Sequence, residues 1–278
     1  MRFRAPRLVS PAEALAFALL LAALAPQARA EETNPCFTGA GTVKEVLDGC
    51  AAFIASGSTD TKRLVTAHSV RAMALAATDD LDAAIADLDA AAKIDPTEPN
   101  SYFMRAAAYD AKTDYDKASA DLDEAIRLDA KRGDFYLLRG IVYDHKGDLD
   151  QALVAFNERV KLDPDATDGY SHRADLYRQR KEYDLSAADY DQVIKREPDV
   201  AKGYIDRGWI YVLKNDLDKA GADFDAALKL HENDPSALVG RGVVKSRKGQ
   251  PTDGSADLAL ARQIEPGIFD EIKKLGVE

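Results

Sequence analysis

A pattern recurs along the chain at a fixed period. Ala83-Ala84-Ile85-Ala86-Asp87-Leu88-Asp89 and Lys117-Ala118-Ser119-Ala120-Asp121-Leu122-Asp123 lie 34 residues apart. Lys219-Ala220-Gly221-Ala222-Asp223-Phe224-Asp225 lies three such periods further on. At that spacing six blocks follow without a gap: 65–98, 99–132, 133–166, 167–200, 201–234 and 235–268. A period of this size belongs to stacked supersecondary units, each packed mainly on its neighbours.

The positions within a block carry physical meaning. The eighth is small: Ala72, Ala106, Gly140, Ala174, Gly208, Gly242. The twentieth is small as well: Ala84, Ala118, Ala152, Ser186, Ala220, Gly254. Small residues on two facing helices let their backbones approach. The twenty-fourth is bulky: Leu88, Leu122, Phe156, Tyr190, Phe224, Leu258. The eleventh is bulky in most blocks, as at Leu75, Tyr109, Tyr143, Tyr177 and Tyr211. Each half of a block therefore carries one apolar stripe at helical spacing. A break such as Lys146-Gly147-Asp148 separates the halves. Asp80, Asp114, Asp148 and Asp216 stand where the second helix needs an N-cap. Asp82, Asp116, Asp150, Asp184 and Asp218 follow two residues later, near the positive end of that helix. Pro96, Pro164, Pro198 and Pro266 close four of the blocks, where a helix must stop.

Six blocks in register resemble tetratricopeptide repeats over residues 65–268. The resemblance implies an all-α fold of six antiparallel helix pairs stacked in a right-handed superhelical solenoid. Ala130 and Glu232 depart from the family's terminal proline, and Lys245 and Pro251 take two apolar positions of the last block. An atypical last unit is expected, because its outer face meets water. Residues 269–278 would add a short C-terminal capping helix. Upstream, Val43 to Ala55 reads as one more second-type helix, with Cys50 in the small phase and Ile54 in the bulky one. Residues 31–64 are then a half-repeat cap, and about thirteen helices follow residue 42. The Cys…Cys segment ahead of such repeats also resembles exported, periplasmic repeat proteins of alphaproteobacteria.

Residues 1–30 read as an address. Arg2, Arg4 and Arg7 precede an apolar run, Ala14 to Ala25, too short to span a bilayer comfortably. Ala28-Arg29-Ala30 then supplies small residues two apart, the pattern of a signal peptide cleaved after Ala30. An uncleaved anchor is the competing reading. No later stretch is apolar enough for a membrane span. Cleavage removes four arginines and Glu13, so the formal charge of −11 becomes −14. Such a balance argues against nucleic acid or an anionic membrane surface as the main partner. In an exported chain the only two cysteines, Cys36 and Cys50, are most simply a disulfide, with two buried free thiols the next reading. Their spacing does not fit a Cys-x-x-Cys redox motif.

The seventh position is arginine in every block: Arg71, Arg105, Arg139, Arg173, Arg207, Arg241. The twenty-third is aspartate in five: Asp87, Asp121, Asp189, Asp223, Asp257, with Ala155 the exception. Because the two columns recur together, a structural ladder within or between repeats is favoured over a row of arginines for an anionic ligand. Asp pairs such as Asp87 with Asp89 read as solvated helix faces. His68, His145, His172 and His231 fall in four blocks and different phases, and no phosphate loop, zinc motif or nucleophile elbow occurs. The chain reads as non-enzymatic, with no cofactor and no metal.

The family likeness places the first helices on a concave face. Exposed positions near the fifth, ninth, twelfth and thirteenth residues give Phe103, Leu137, Ile141, Asp144, His145, Asp175, Arg178, Gln179, Ile205, Trp209, Leu213, Val239 and Arg247. This set reads as a largely apolar groove with a polar middle, suited to a peptide or protein partner. Trp209, between Ile205 and Leu213, is the leading hot-spot candidate. The alternative is that the apolar members merely pack between repeats. The Lys/Asn residues with which some members clamp a terminal carboxylate are missing at the matching positions. The sequence thus reads as an envelope scaffold, with self-assembly into a homo-oligomer through the repeat ends as the runner-up.

Overall fold

A computed structural model describes residues 34–276. The expected signal peptide at 1–30, with its expected cleavage after Ala30, lies outside the described residues. The described chain forms fifteen α-helices and no strand. It divides into two compact units, up to residue 130 and from residue 131 on.

The first unit contains α1 (Pro35–Thr38), α2 (Val43–Ala55), α3 (Thr61–Ala77), α4 (Leu81–Ile94), α5 (Pro99–Ala111) and α6 (Tyr115–Leu128). The second contains α7 (Gly133–Lys146), α8 (Leu149–Leu162), α9 (Thr167–Gln179), α10 (Tyr183–Arg196), α11 (Ala201–Leu213), α12 (Leu217–Leu230), α13 (Pro235–Arg247), α14 (Pro251–Ile264) and the short α15 (Ile268–Lys273). Fourteen helices thus begin at residue 43 or later. The first helix of the first pair starts at Thr61, a turn before the block boundary, because the Asp60 side chain caps it by accepting from the Arg63 N–H.

Within each unit every helix packs on its predecessor and its successor. Successive first helices also touch one another: α3 with α5, α7 with α9, α11 with α13. No contact of similar extent joins successive second helices among the described residues. The first helices therefore line the inner side of each stack, as in a tetratricopeptide solenoid.

The small column has a steric cause. A Cβ on Gly140 would lie 2.3 Å from the Phe156 ring, and one on Gly208 would lie 2.9 Å from Phe224. Glycine stands at the eighth position where phenylalanine fills the twenty-fourth. Alanine suffices opposite Leu88, Leu122 or Tyr190. The second helices begin as the sequence implies. Asp80, Asp114, Asp148 and Asp216 accept the N–H groups of Ala83, Lys117, Gln151 and Lys219.

The turn inside each pair places the fifteenth residue in the left-handed region. Gly147 and Gly249 do this without strain, whereas Asp79, Thr113, Lys181 and Asn215 do it at φ of 65°, 63°, 61° and 60°. A β-branched residue tolerates this conformation worst. Thr113→Gly should therefore stabilise the chain by about 1 kcal/mol, read as a higher urea midpoint. A lowered midpoint would refute the account.

Cys36 and Cys50 are joined by a disulfide that ties α1 to α2, with their Cα atoms 4.8 Å apart. Both are buried in a cluster with Phe53, Ala67 and Val70. Phe53, rather than the expected Ile54, is the buried bulky residue of α2; the Phe37 ring meets it edge-on at 4.9 Å. Replacing both cysteines with alanine should cost about 3 kcal/mol in the chain-entropy account. Hydrogen exchange should accelerate in α1 and α2 while the second unit keeps its protection. Equal acceleration in both units would contradict this.

Candidate functional site

Five arginines of the seventh column each grip the aspartate sixteen residues on, through both carboxylate oxygens. Arg71 holds Asp87 at 2.6 and 2.5 Å, and Arg105 holds Asp121 at 2.8 and 2.6 Å. Arg173–Asp189, Arg207–Asp223 and Arg241–Asp257 repeat this fork. All five aspartates are buried. Ala155, also buried, takes the position in the third block. A third guanidinium nitrogen reaches back to the preceding block: Arg105 to Asp89 at 2.6 Å, Arg173 to Asn157 at 2.7 Å, Arg207 to Asp191 at 2.5 Å. The Asp89 column is therefore a tie between blocks and not the solvated face expected of it. Lys245, a departure in the last block, adds a second cation to Asp257 at 2.8 Å.

Asp87 and Asp257 each have a second side-chain partner besides the arginine. Burial pushes Asp87 and Asp257 up, but two partners outweigh it, Arg71 and His68 for the one, Arg241 and Lys245 for the other. Both end below the usual carboxylate value. Asp223 is buried beside Arg207 alone, with Asp191 nearby, and its carboxyl is raised.

A second set of ties runs along the turns within the pairs. Lys112, Arg180, Lys214 and Lys248 each pair with the aspartate thirty residues earlier: Asp82, Asp150, Asp184 and Asp218. The aspartates in the first turns of the second helices thus serve stacking as well as the helix dipole.

The inner side of the second unit is polar. On α9, Gln179 Nε2 donates to Asp144 Oδ1 on α7 at 3.0 Å. Asp175 accepts from the Tyr190 hydroxyl at 2.9 Å, and Arg178 Nε stands 3.6 Å from the same oxygen. On α11, the Lys202 amine donates to Asp206 at 2.7 Å. Arg247 on α13 is exposed, its Nη1 at 3.5 Å from the Val212 carbonyl. Burial raises Tyr190 well above its ordinary value, helped by the charges of Asp206 and Asp175. Burial also raises Asp206, an effect that Lys202 opposes and Asp175 reinforces.

Three apolar members of the expected groove, Ile205, Trp209 and Val239, are buried. Trp209 is 2% exposed, its ring 5.1 Å from Phe224 and its Nε1 bonded to Ser236 at 3.2 Å. Ile205 and Val239 are buried in the same cluster. The ninth position of the fifth block faces α13, which covers it. Ile205 and Trp209 of the expected apolar strip are thus internal. Leu137 and Ile141 are half-buried against Phe156 and Leu176, and Leu213 lies half-buried on the Trp209 cluster. His145 is half-buried on α7. Phe103 is half-buried on α5 in the other unit. Asp144, Asp175, Arg178 and Gln179 are brought together, joined by Lys202, Tyr190 and Asp206, which the sequence reading passed over. Tyr190 could have been noticed: it alone brings a hydroxyl to the bulky column, and a buried hydroxyl needs a partner. Among the described residues no group of three or more His, Cys, Asp or Glu could hold a metal ion.

Sequence models of the tetratricopeptide repeat match residues 65–98, 103–167 and 173–237, more than half of the chain. No curated protein matches the chain significantly. Among solved structures, a tetratricopeptide repeat protein from Parabacteroides merdae superposes with a TM-score of 0.65 at 17% identity, over 89% of this chain and 97% of its own. PilF of Pseudomonas aeruginosa gives 0.63 at 11% identity, over 74% and 94%. YrrB, described as a tetratricopeptide protein with an unusual peptide-binding site, gives 0.54 at 20% identity, over 69% and 97%. At these identities the likeness is one of fold.

Proposed function

The chain belongs to the tetratricopeptide repeat family, and on that premise we propose that it is a non-catalytic scaffold binding a protein or peptide along the inner side of its first helices. The observation that carries this is the partly exposed polar set on the inner side of the second unit, where Gln179 on α9 bonds Asp144 on α7 and Tyr190 on α10 bonds Asp175 on α9. Asp144, Asp175, Arg178, Gln179 and Arg247 are its candidate contacts. The peptide-binding site named for YrrB supports the same use of the fold.

The address-like residues 1–30 and the Cys36–Cys50 disulfide support export to the periplasm as a chain beginning at Glu31. No described helix is long and apolar enough to cross a membrane. The mature chain is then a half-repeat cap, six repeats over 65–268 and a C-terminal segment that carries the short helix α15, which ends at Lys273 and not at residue 278 as expected.

A photo-crosslinking residue at Gln179, exposed on the inner side, tests this against one at Val154, exposed on the outer helix α8. In the native host the first should yield a defined adduct and the second none. Adducts at Val154 alone would sink the reading. A second reading, self-association through the repeat ends, is favoured by Leu260 and Ile264, exposed one turn apart on the last full helix. Light scattering at a monomer mass across concentrations would remove it.

A further inference from the structure

In the second unit the thirteenth residue of a block reaches back to the twelfth of the block before. Gln179 Nε2 donates to Asp144 Oδ1 at 3.0 Å, and Arg247 Nη1 lies 3.5 Å from the Val212 carbonyl, each pair 35 residues apart. Between these two ties the same register sets Leu213 against Arg178. A leucine side chain offers no acceptor, and Leu213 packs instead on the clusters that hold Trp209 and Tyr190.

Arg178 is left without a hydrogen bond among the described residues. Its Nε is buried, and Asp175 Oδ1, which accepts from the Tyr190 hydroxyl, stands 3.6 Å away, too far for one. The other arginines on the first helices of this unit are better provided. Arg173, Arg207 and Arg241 fork onto aspartates, Arg247 reaches a carbonyl, and Arg139 stands over the Tyr143 ring. Only 20% of the Arg178 side chain is exposed. A guanidinium so covered gives up much of its water, and no protein acceptor replaces it.

Charge does not choose the ligand here, because Arg178 and Lys202 match Asp175 and Asp206 in number. Hydrogen bonding does. Asp175 is held by the Tyr190 hydroxyl and Asp206 by the Lys202 amine, whereas the donors of Arg178 are unmet. The planar fork of a guanidinium is best matched by the two oxygens of a carboxylate.

We propose that Arg178 receives a carboxylate of the bound peptide on the inner side, and that Leu213 keeps the place open by supplying no tie from the next block. This rests on the inner-side reading above. An acidic side chain and a free C-terminus share this chemistry, and the probes separate them.

Four pools of fluorescent nonapeptides test the assignment. Three are amidated at the C-terminus, with the central residue fixed as Glu, Gln or Lys and the rest drawn from uncharged residues. The fourth has central Gln and a free C-terminal carboxylate. They are titrated by anisotropy against the full-length protein, and crosslinked from a benzoylphenylalanine at Gln179. A carboxylate pool should bind more tightly than the amidated Gln and Lys pools, the Glu pool if the source is a side chain and the fourth if it is the C-terminus. Arg178→Gln should weaken the preferred pool by about tenfold and leave the amidated Gln pool unchanged. Arg178→Lys, which keeps the charge and loses the fork, should recover only part of the difference. Leu213→Gln, which gives Arg178 an acceptor from the next block, should also lower the preference. Circular dichroism melts of the three variants check that the fold persists. Crosslinking at Gln179 with no preference for a carboxylate, or with one that survives Arg178→Gln, overturns this inference and leaves the inner-side reading standing. If no pool crosslinks at Gln179, the inference and the inner-side reading fall together.

Discussion

Trp209→Ala should lower stability by about 3–5 kcal/mol, seen as a large fall in melting temperature. The indole is the largest side chain in the core of the fifth and sixth pairs, and it touches both. Its ring meets Phe224 in a T-shaped contact, and Phe224 backs onto Gly240: a Cβ there would lie 2.2 Å from the Phe224 ring. The neighbours are thus held too tightly to collapse into the space an alanine would leave. Ser236 would also lose the bond from Nε1. Trp209→Phe should recover most of the packing but not that bond. Partner capture by the fraction still folded at low temperature should be unaffected, because the indole does not face the open inner side. A variant that kept the wild-type melting temperature and lost its partner would restore Trp209 as a binding residue.

The Trp209 assignment shows where sequence reading reaches and where it stops. Periodicity located every helix pair, because a small residue at the eighth position and a bulky one at the twenty-fourth are demanded by contacts such as Gly140 with Phe156, which repeat with the chain. The N-capping aspartates and the helix Val43–Ala55 were legible for similar local reasons. Inner-side exposure was not. The ninth position holds Ala107 and Asp175, both accessible, and also Trp209, which is covered. Whether a residue there is open depends on how closely the next pair approaches. At Trp209 that approach is set by Gly240 and Ser236 on another helix, which no within-block pattern encodes. The Asp89 column was misread, and the stacking role of the Asp82 column missed, for the same reason. Their partners lie in the following block, 16 and 30 residues away, so each column on its own resembles a solvated helix face.

The arginine ladder should prove uneven in a way that its geometry specifies. Removing one partner of a buried ion pair strands the other charge, at roughly 3–5 kcal/mol. Arg105 and Arg173 are equally covered, each with 17% of its side chain exposed, and each forks onto a buried aspartate. They differ in the third contact. Arg105 also holds Asp89, a carboxylate, at 2.6 Å, whereas Arg173 holds Asn157, a neutral amide, at 2.7 Å. Asp121→Ala therefore leaves Arg105 a charged partner, while Asp189→Ala leaves Arg173 none among its hydrogen bonds. Asp189→Ala should cost about 3–4 kcal/mol and Asp121→Ala about 2 kcal/mol, in urea or thermal unfolding. Adding Asp89→Asn to Asp121→Ala should bring the first unit's loss up to that of Asp189→Ala. Conversely, Asn157→Asp in the Asp189→Ala background should recover part of what was lost, by giving Arg173 a carboxylate from the preceding block. Equal midpoints for the two single variants would mean that the ties between blocks add nothing to the forks within them. Two unchanged midpoints would mean that the forks themselves do not hold the helix pairs together.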